Sequence, residues 1–169
     1  LSDFFRTSLS NGQSFITIQE EQRHIESYLK IQQFRYQDTL AYNIDIDKAL
    51  YNFTIPKLLL QPLVENALVH GIRGKRGKGR ISVTGRLEGG NIVFCVTDDG
   101  VGMDEEKLYN LRKASVDGST QSANIAAFGV GNVNERIHIY YGENYGLFFK
   151  SQPDVGTTAR VVIPTRNVS

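Results

Sequence analysis

Residues 55–70 read IPKLLLQPLVENALVH, and this apolar stretch decides the fold that we predict. Leucine, valine and alanine recur so densely that a helix built from it would be buried on nearly all sides. Pro56 suits the first turn of such a helix, where a missing N–H leaves no hydrogen bond unmade, and Gly71 suits its end. We therefore predict a buried helix that begins at Ile55-Pro56, runs to about His70 and is bent at Pro62.

The segments on either side of this helix alternate between helical and strand patterns. Thr17 and Glu20 have the spacing of a capping box, which predicts the start of a long amphipathic helix. The other predicted helices cover residues 1–9, 105–113 and 130–141, and the predicted strands cover residues 40–46, 80–87, 91–97, 146–151 and 157–163. Residues 114–127 are small and polar without a period, which is typical of a functional lid. This order predicts an α+β two-layer sandwich, with a mixed, mostly antiparallel sheet and helices on one face.

The composition excludes several classes of protein. The 169 residues include 19 Lys+Arg and 18 Asp+Glu, so the net charge of +1 gives no electrostatic argument for nucleic acid or an anionic membrane. No apolar run approaches the roughly 20 residues of a spanning helix. Cys95, the single cysteine, excludes an internal disulfide and a cysteine-cluster zinc site, and we interpret it as a core residue. Because the chain begins at Leu1 without Met, we expect a fragment of a longer protein.

Asn66 and His70 are the first polar residues to suggest chemistry, because they stand four positions apart on the predicted buried helix. A buried asparagine needs hydrogen-bond partners. A magnesium ion held between its side chain and nucleotide phosphates would supply them. The alternative is a core asparagine satisfied by backbone groups.

Two glycine-rich segments follow, DDGVGM at residues 98–103 and AFGVGN at residues 127–132. Asp98, at the end of a predicted strand, could accept a hydrogen bond from the exocyclic amine of a base, although a tight turn with solvent-facing acids fits equally well. The second segment would open a helix, whose free N–H groups bind phosphate. It matches neither a P-loop nor a dinucleotide-binding fingerprint.

The ordered combination resembles the GHKL ATP-binding superfamily, and more narrowly the LytS/YesM-type sensor histidine kinases. The motifs that carry the resemblance are IPKLLLQPLVENA (55–67), DDGVG (98–102), NVNERI (132–137), YG (141–142) and GTT (156–158). The resemblance implies a Bergerat-type ATP-binding fold. It also implies a division into residues 1–40, the end of the dimerisation and phosphoacceptor region with its connecting helix, and residues 41–169, the catalytic domain.

The resemblance also implies a site for ATP and Mg²⁺. Asn66 would coordinate magnesium, Asp98 would bind the adenine amine, and Thr157 would support Asp98. His70 would lie near the phosphates. The remaining residues implied to contact the nucleotide are Gly100, Gly102, Met103, Gly129, Val130 and Gly131.

Two departures from the family pattern concern phosphate binding. Val69 stands where the family usually has a lysine, so we expect Arg73, or else Lys75 or Arg76, to supply the cation. In the second glycine segment, Ala127 takes the place of a family glycine and Gly131 that of a usually basic residue.

A kinase is favoured over a hydrolase by Pro62, which stands where GHKL hydrolases carry the glutamate that activates water. The family's phosphoacceptor histidine lies in a Pro-His-Phe-Leu-Tyr-Asn segment that this chain lacks, so we expect no self-labelling. The resemblance implies upstream phosphoacceptor helices, a homodimer in the full-length protein, and a cytoplasmic response regulator as partner. It places the chain in the cytoplasm, attached to the membrane through segments outside it. A nucleotide-regulated binding module without phosphoryl transfer remains the alternative.

Overall fold

The computed structural model describes residues 14–117 and 125–167. Its helices are α1 (Ile18–Tyr36), α2 (Gln61–Asn66), α3 (Glu105–Asp117) and α4 (Ile125–Tyr141), and α2 continues as a π-helical turn over Ala67–Ile72. Its strands are β1 (Phe15–Thr17), β2 (Leu40–Ile46), β3 (Thr54–Pro56), β4 (Gly79–Glu88), β5 (Asn91–Asp98), β6 (Gly146–Gln152) and β7 (Gly156–Pro164). None of the helices in these two ranges is long and apolar enough to cross a bilayer.

Five strands form the central sheet in the order β2-β4-β5-β7-β6. β2 runs parallel to β4, and the other neighbours are antiparallel. Alternate residues of the central strands, such as Val83, Phe94 and Val161, are buried against the helices, while the opposite face carries polar residues such as Arg160. The predicted mixed, mostly antiparallel sheet with helices on one face is therefore confirmed.

The helix predicted from the capping box is also confirmed. Thr17 Oγ1 accepts from the Glu20 N–H at 3.2 Å, and the Glu20 carboxylate accepts from the Thr17 N–H at 2.8 Å. Ile25 and Leu29 on the same helix are fully buried and belong to the hydrophobic core of the sheet. The first helix is thus packed as part of the core.

The predicted helix start at Pro56 is wrong. Pro56 ends β3, which pairs antiparallel with β1, and the helix begins only at Gln61. Leu58 between them has a φ of 59°, a left-handed conformation that interrupts any helix. Pro62, expected to bend the helix, instead occupies its first turn, where the lost N–H costs little.

Two further predictions need correction. Cys95 is half-buried rather than a core residue, because its strand turns it toward the polar face, where Arg160 lies opposite. The helix predicted from residue 130 begins at Ile125, because burial of Val130, Val133 and Ile137 outweighs the roughly 1 kcal/mol that each helical glycine costs. The predicted helix over residues 1–9, and the middle of the predicted lid, lie outside the described residues.

Candidate functional site

Asp98, the last residue of β5, is the buried acid of the site, with 5% of its surface exposed. Its Oδ1 accepts from the Gly100 N–H at 2.9 Å. Burial raises the pKa of Asp98 to about 6, although hydrogen bonds from the backbone of Gly100 and Thr157 act in the opposite direction. Asp98 is therefore not a solvent-facing acid of a tight turn. It is a buried acceptor held in place at the end of a central strand.

The glycine-rich turn after Asp98 is clamped by other backbone segments. A Cβ built on Gly100 would lie 2.2 Å from the carbonyl carbon and oxygen of Gly71, and Val101 donates its N–H to that same oxygen at 3.1 Å. A Cβ on Gly102 would lie 2.0 Å from the Gln152 carbonyl oxygen. The close approach that these glycines permit is therefore between segments of the protein itself.

Ser151 joins three parts of the site and was missed in the sequence. Its hydroxyl accepts from the Met103 N–H at 2.8 Å, donates to the Gly156 carbonyl at 3.1 Å and lies 2.7 Å from Thr157 Oγ1. The Thr157 hydroxyl thus contacts Ser151, while its backbone hydrogen-bonds to Asp98. Only the register of β6 on β7, which pairs Ser151 with Thr157, reveals this role.

The neighbouring acid, Asp99, has a different function. It is exposed, and its Oδ1 accepts from the Arg80 N–H at 2.7 Å. Its Oδ2 lies 3.2 Å from Lys75 Nζ, which holds the basic loop after the π-helical turn against β4. Asp99 therefore organises the loop.

A cavity of about 830 Å³ opens beside Asp98. Met103, Leu108, Ser151 and Thr157 line it together with that carboxylate. Its volume lies within the range of small-molecule sites. The structure thus brings Asp98, Met103 and Thr157 together around one cavity.

Asn66 and His70 lie at the opposite side of the glycine-rich turn and do not line this cavity. Asn66 ends α2 and is half-buried, and no other described residue hydrogen-bonds to its side chain. Asn66 is thus not fully buried in the core, and its role as a magnesium ligand remains a prediction. His70 is exposed on the π-helical turn. Gly71 at the same turn lies directly against the Asp98 carboxyl group, which connects the two sides.

Arg73 is held at the end of α1 rather than over the cavity. Its Nε donates to the Tyr36 hydroxyl at 3.0 Å. Lys75, the second candidate for the missing cation, is paired with Asp99. Two of the three basic residues thus already have partners, and the phosphate contact expected of Arg73 remains a prediction.

Gly129, Val130 and Gly131 do not open a helix, as the sequence suggested, because they lie within α4. The free N–H groups of that helix belong to its first four residues, 125–128. Val130 is 1% exposed and its side chain packs in the core, whereas Gly129 is half-exposed. A contact of this segment with phosphate would therefore involve the helix start or the Gly129 backbone.

Two family models match most of this chain. A model of the histidine kinase-, DNA gyrase B- and HSP90-like ATPases matches residues 54–167, and a histidine kinase model matches residues 1–40. The sensor histidine kinase YesM of Bacillus subtilis is 33% identical over 99% of this chain. The sensor protein LytS of Staphylococcus haemolyticus is 31% identical over 99%. The chain covers 27% and 28% of these relatives, about a quarter of their length.

Solved structures show the same fold at low sequence identity. The catalytic domain of the histidine kinase ThkA superposes with a TM-score of 0.66 at 13% identity, covering 90% of this chain and 98% of that one. The histidine kinase domain of a blue-light activated kinase from Erythrobacter litoralis superposes with a TM-score of 0.60 at 16% identity, covering 90% and 64%.

These findings confirm the resemblance to the LytS/YesM-type sensor kinases and the predicted fold. The glycine-rich turn, the buried Asp98 and the helix that ends at Asn66 all lie within the matched range of residues 54–167. The chain therefore belongs to the family of histidine kinase-, DNA gyrase B- and HSP90-like ATPases, and it has the fold of the catalytic domain of the histidine kinase ThkA.

Proposed function

We propose that this domain binds Mg²⁺–ATP and transfers the γ-phosphoryl group to a histidine outside the chain, from which it passes to a cytoplasmic response regulator. The observation that carries the proposal is the buried Asp98 carboxyl group beside a cavity of about 830 Å³. A carboxylate in this position accepts a hydrogen bond from an exocyclic amine, which adenine supplies. Met103 and Thr157 line the same cavity and would flank the adenine, whereas Gly100 and Gly102 would act by allowing the turn after Asp98 to pack closely.

The residues present fit a magnesium ion that is bound mainly through phosphate. Within residues 14–117 and 125–167, no group of three or more acidic, histidine or cysteine side chains could hold a metal on its own. Asn66 offers one amide oxygen without a competing partner, and Mg²⁺ typically takes one or two protein ligands plus phosphates and water. The ion, when bound, would neutralise charge that develops on the phosphates during transfer.

The local environment of Asn66 supports transfer rather than hydrolysis. Pro62, which has no acid–base function, occupies the position one turn before Asn66. Glu65 is exposed, and its carboxylate accepts from the Gln61 side chain at 3.2 Å. With no acid one turn before Asn66, the chain is better suited to position ATP for an external histidine.

The remaining parts of the proposal concern the longer protein. Residues 1–40 would be the end of its dimerisation and phosphoacceptor region, and a homodimer would bring the phosphoacceptor helices together. Membrane attachment would come from segments outside this chain. The relatives named above, both sensor proteins, support this arrangement.

Replacing Asn66 with alanine is expected to weaken Mg²⁺–ATP binding at least tenfold, because the protein would lose its ligand to the ion. Affinity for ATP in the presence of EDTA should change little. Titration calorimetry with and without Mg²⁺ measures both effects. In a longer protein that includes the phosphoacceptor histidine, the same substitution should abolish the acid-labile label from radioactive ATP.

Asn43→Ala is the matched control, because Asn43 is an exposed asparagine on β2. It should leave affinity and labelling unchanged. If Asn66→Ala binds Mg²⁺–ATP as the wild type does, the metal assignment is wrong. If the longer protein binds Mg²⁺–ATP but acquires no label, the alternative of a binding module holds.

Replacing Arg73 with alanine is expected to lower ATP affinity about 10- to 150-fold, because a charged hydrogen bond to phosphate is worth about 1.5–3 kcal/mol. Affinity for adenosine should not change. Tyr36→Phe distinguishes a contact of Arg73 with phosphate from its hydrogen bond to Tyr36. It removes the hydroxyl partner of Arg73 and keeps the cation, so ATP affinity should be retained. Equal ATP affinities of Arg73→Ala and the wild type would show that Arg73 does not replace the lysine missing at Val69.

A further inference from the structure

We propose that the loop between β3 and α2, residues 57–60, is a coupling junction that links the position of α1 to Asn66 and to α4. Glu21 and Arg136 are its positioning residues. The inference rests on the proposed function, because it assigns the junction's output to the Mg²⁺ ligand Asn66. Neither the buried Glu21 carboxyl group nor the Arg136 guanidinium group has a role in the nucleotide site described above.

Glu21 lies in the apolar stripe of α1, where a carboxyl group is costly. Its neighbours on that face, Ile18 and Ile25, are fully buried, and Glu21 is itself 0% exposed. Burial raises the pKa of Glu21. An apolar side chain of similar size would avoid this desolvation cost, so the hydrogen bonds of the carboxyl group explain its presence.

Those hydrogen bonds go to the start of α2. Glu21 Oε1 accepts from the Leu60 N–H at 2.9 Å and from the Gln61 N–H at 3.4 Å. The first N–H groups of a helix have no partner within it, so a carboxylate from α1 serves here as the cap. Within the described part of the chain, no hydrogen bond is made to the other carboxyl oxygen, Glu21 Oε2.

Arg136, on α4, holds the carbonyl side of the same loop. Its guanidinium donates to the Leu58 carbonyl at 3.1 Å and to the Lys57 carbonyl. Leu58 has a left-handed φ of 59°, which costs a residue with a side chain about 1–2 kcal/mol. Because the planar guanidinium group of Arg136 donates to two consecutive carbonyl groups, it holds that backbone in place.

The loop is thus held by α1 through its N–H groups and by α4 through its carbonyl groups. The preceding strand is fixed as well, since Lys57 donates its N–H to the Ser14 carbonyl at 3.0 Å. From Gln61 to Asn66 the helix spans only about 9 Å at 1.5 Å per residue. A displacement of the loop therefore reaches Asn66 through one short, rigid helix that also packs against α4.

Glu21→Leu and Glu21→Gln test the junction, because the first removes the acceptor and the second keeps an oxygen in its place. The measurements are Mg²⁺–ATP affinity and amide hydrogen exchange with and without a non-hydrolysable ATP analogue. In the wild type, the analogue should slow exchange in α1 as well as at residues 60–66. In Glu21→Leu we expect affinity to fall about tenfold and the effect on α1 to disappear, whereas Glu21→Gln should restore both.

Glu26→Leu is the control on the same helix. It removes a surface carboxylate that pairs with Lys30, and it should leave affinity and hydrogen exchange as in the wild type. Wild-type affinity and an undiminished nucleotide effect on α1 in Glu21→Leu would overturn the proposal. If Glu21→Leu does not fold, Arg136→Met tests the junction from the side of α4 by the same two measurements. It should likewise lower Mg²⁺–ATP affinity and remove the effect of the analogue on hydrogen exchange in α1. A wild-type chain that binds no nucleotide would instead overturn the proposed function, which is a different result.

Discussion

Replacing Asp98 with asparagine is expected to weaken ATP binding about 10- to 150-fold and to stabilise the nucleotide-free protein. The affinity is lost because a hydrogen bond to a charged acceptor is worth about 1.5–3 kcal/mol. The stability is gained because asparagine can keep the hydrogen bond from the Gly100 N–H without burying a charge. Titration calorimetry with ATP and thermal unfolding without it measure the two opposite effects.

The size of the stability gain should depend on pH. Burial raises the pKa of Asp98 from 3.8 to about 6. Between these values the folded state binds a proton that the unfolded state does not, so stability falls as pH rises through this window. The full difference at pH 7 corresponds to about 3 kcal/mol. The advantage of Asp98→Asn should therefore be largest at pH 7 and vanish below about pH 3.8, where the wild-type acid is neutral in both the folded and the unfolded state.

ATP binding should follow the same group. Wild-type affinity should decrease as pH falls through about 6, since the protonated acid is a weaker acceptor, and the variant should lack this dependence. Asp99→Asn is the control, because it removes an adjacent but exposed carboxylate and keeps the oxygen that accepts from the Arg80 N–H. Equal ATP affinities of Asp98→Asn and Asp99→Asn would show that Asp98 does not bind adenine.

Features encoded by neighbouring residues could be predicted from the sequence. The β4–β5 hairpin follows from two alternating segments around Gly89 and Gly90, and its observed register pairs Glu88 with Asn91. The capping box at Thr17 is likewise a pattern over four residues. The hairpin supplies two of the five strands of the central sheet and places Asp98 at the end of one of them.

Features that depend on contacts between distant residues could not be predicted. Pro56 fits either a helix start or a strand end, and its pairing with Phe15, 41 positions earlier, decides for the strand. The Glu21 cap of α2 joins groups 39 positions apart, and the role of Ser151 depends on the register of β6. Sequence spacing gives no measure of such contacts, because tertiary packing selects among several locally acceptable structures.

The glycines show the same limit at the centre of the site. Their pattern indicated an approach of backbone to nucleotide, whereas the structure places Gly71 against Gly100 and Gly102 against Gln152. A ligand and a second backbone segment both require the absence of a side chain, so the pattern alone does not distinguish them. The contact between Gly100 and Gly71 joins the two motifs of the site, which makes Gly100 the most informative glycine to replace.

Gly100→Ala is expected to lower the free energy of unfolding by about 3 kcal/mol or more, which is the range of severe steric changes in a packed interior. The added Cβ would lie 2.2 Å from the Gly71 carbonyl group, so the backbone of one motif would have to move away from the other. That movement would break the bond from the Val101 N–H to the Gly71 oxygen. ATP affinity should fall with it, because Gly71 and Gly100 both lie against the Asp98 carboxyl group.

Gly74→Ala separates this steric effect from the general cost of adding a methyl group near the site. A Cβ at Gly74 would lie 3.4 Å from the Val101 side chain, an ordinary contact, so we expect near wild-type unfolding and ATP binding. Urea unfolding and ATP titration of the two variants make the comparison. Equal stability of Gly100→Ala and Gly74→Ala would mean that the two motifs are not in contact, and the site would then need a different mechanism to position Asp98 relative to Asn66.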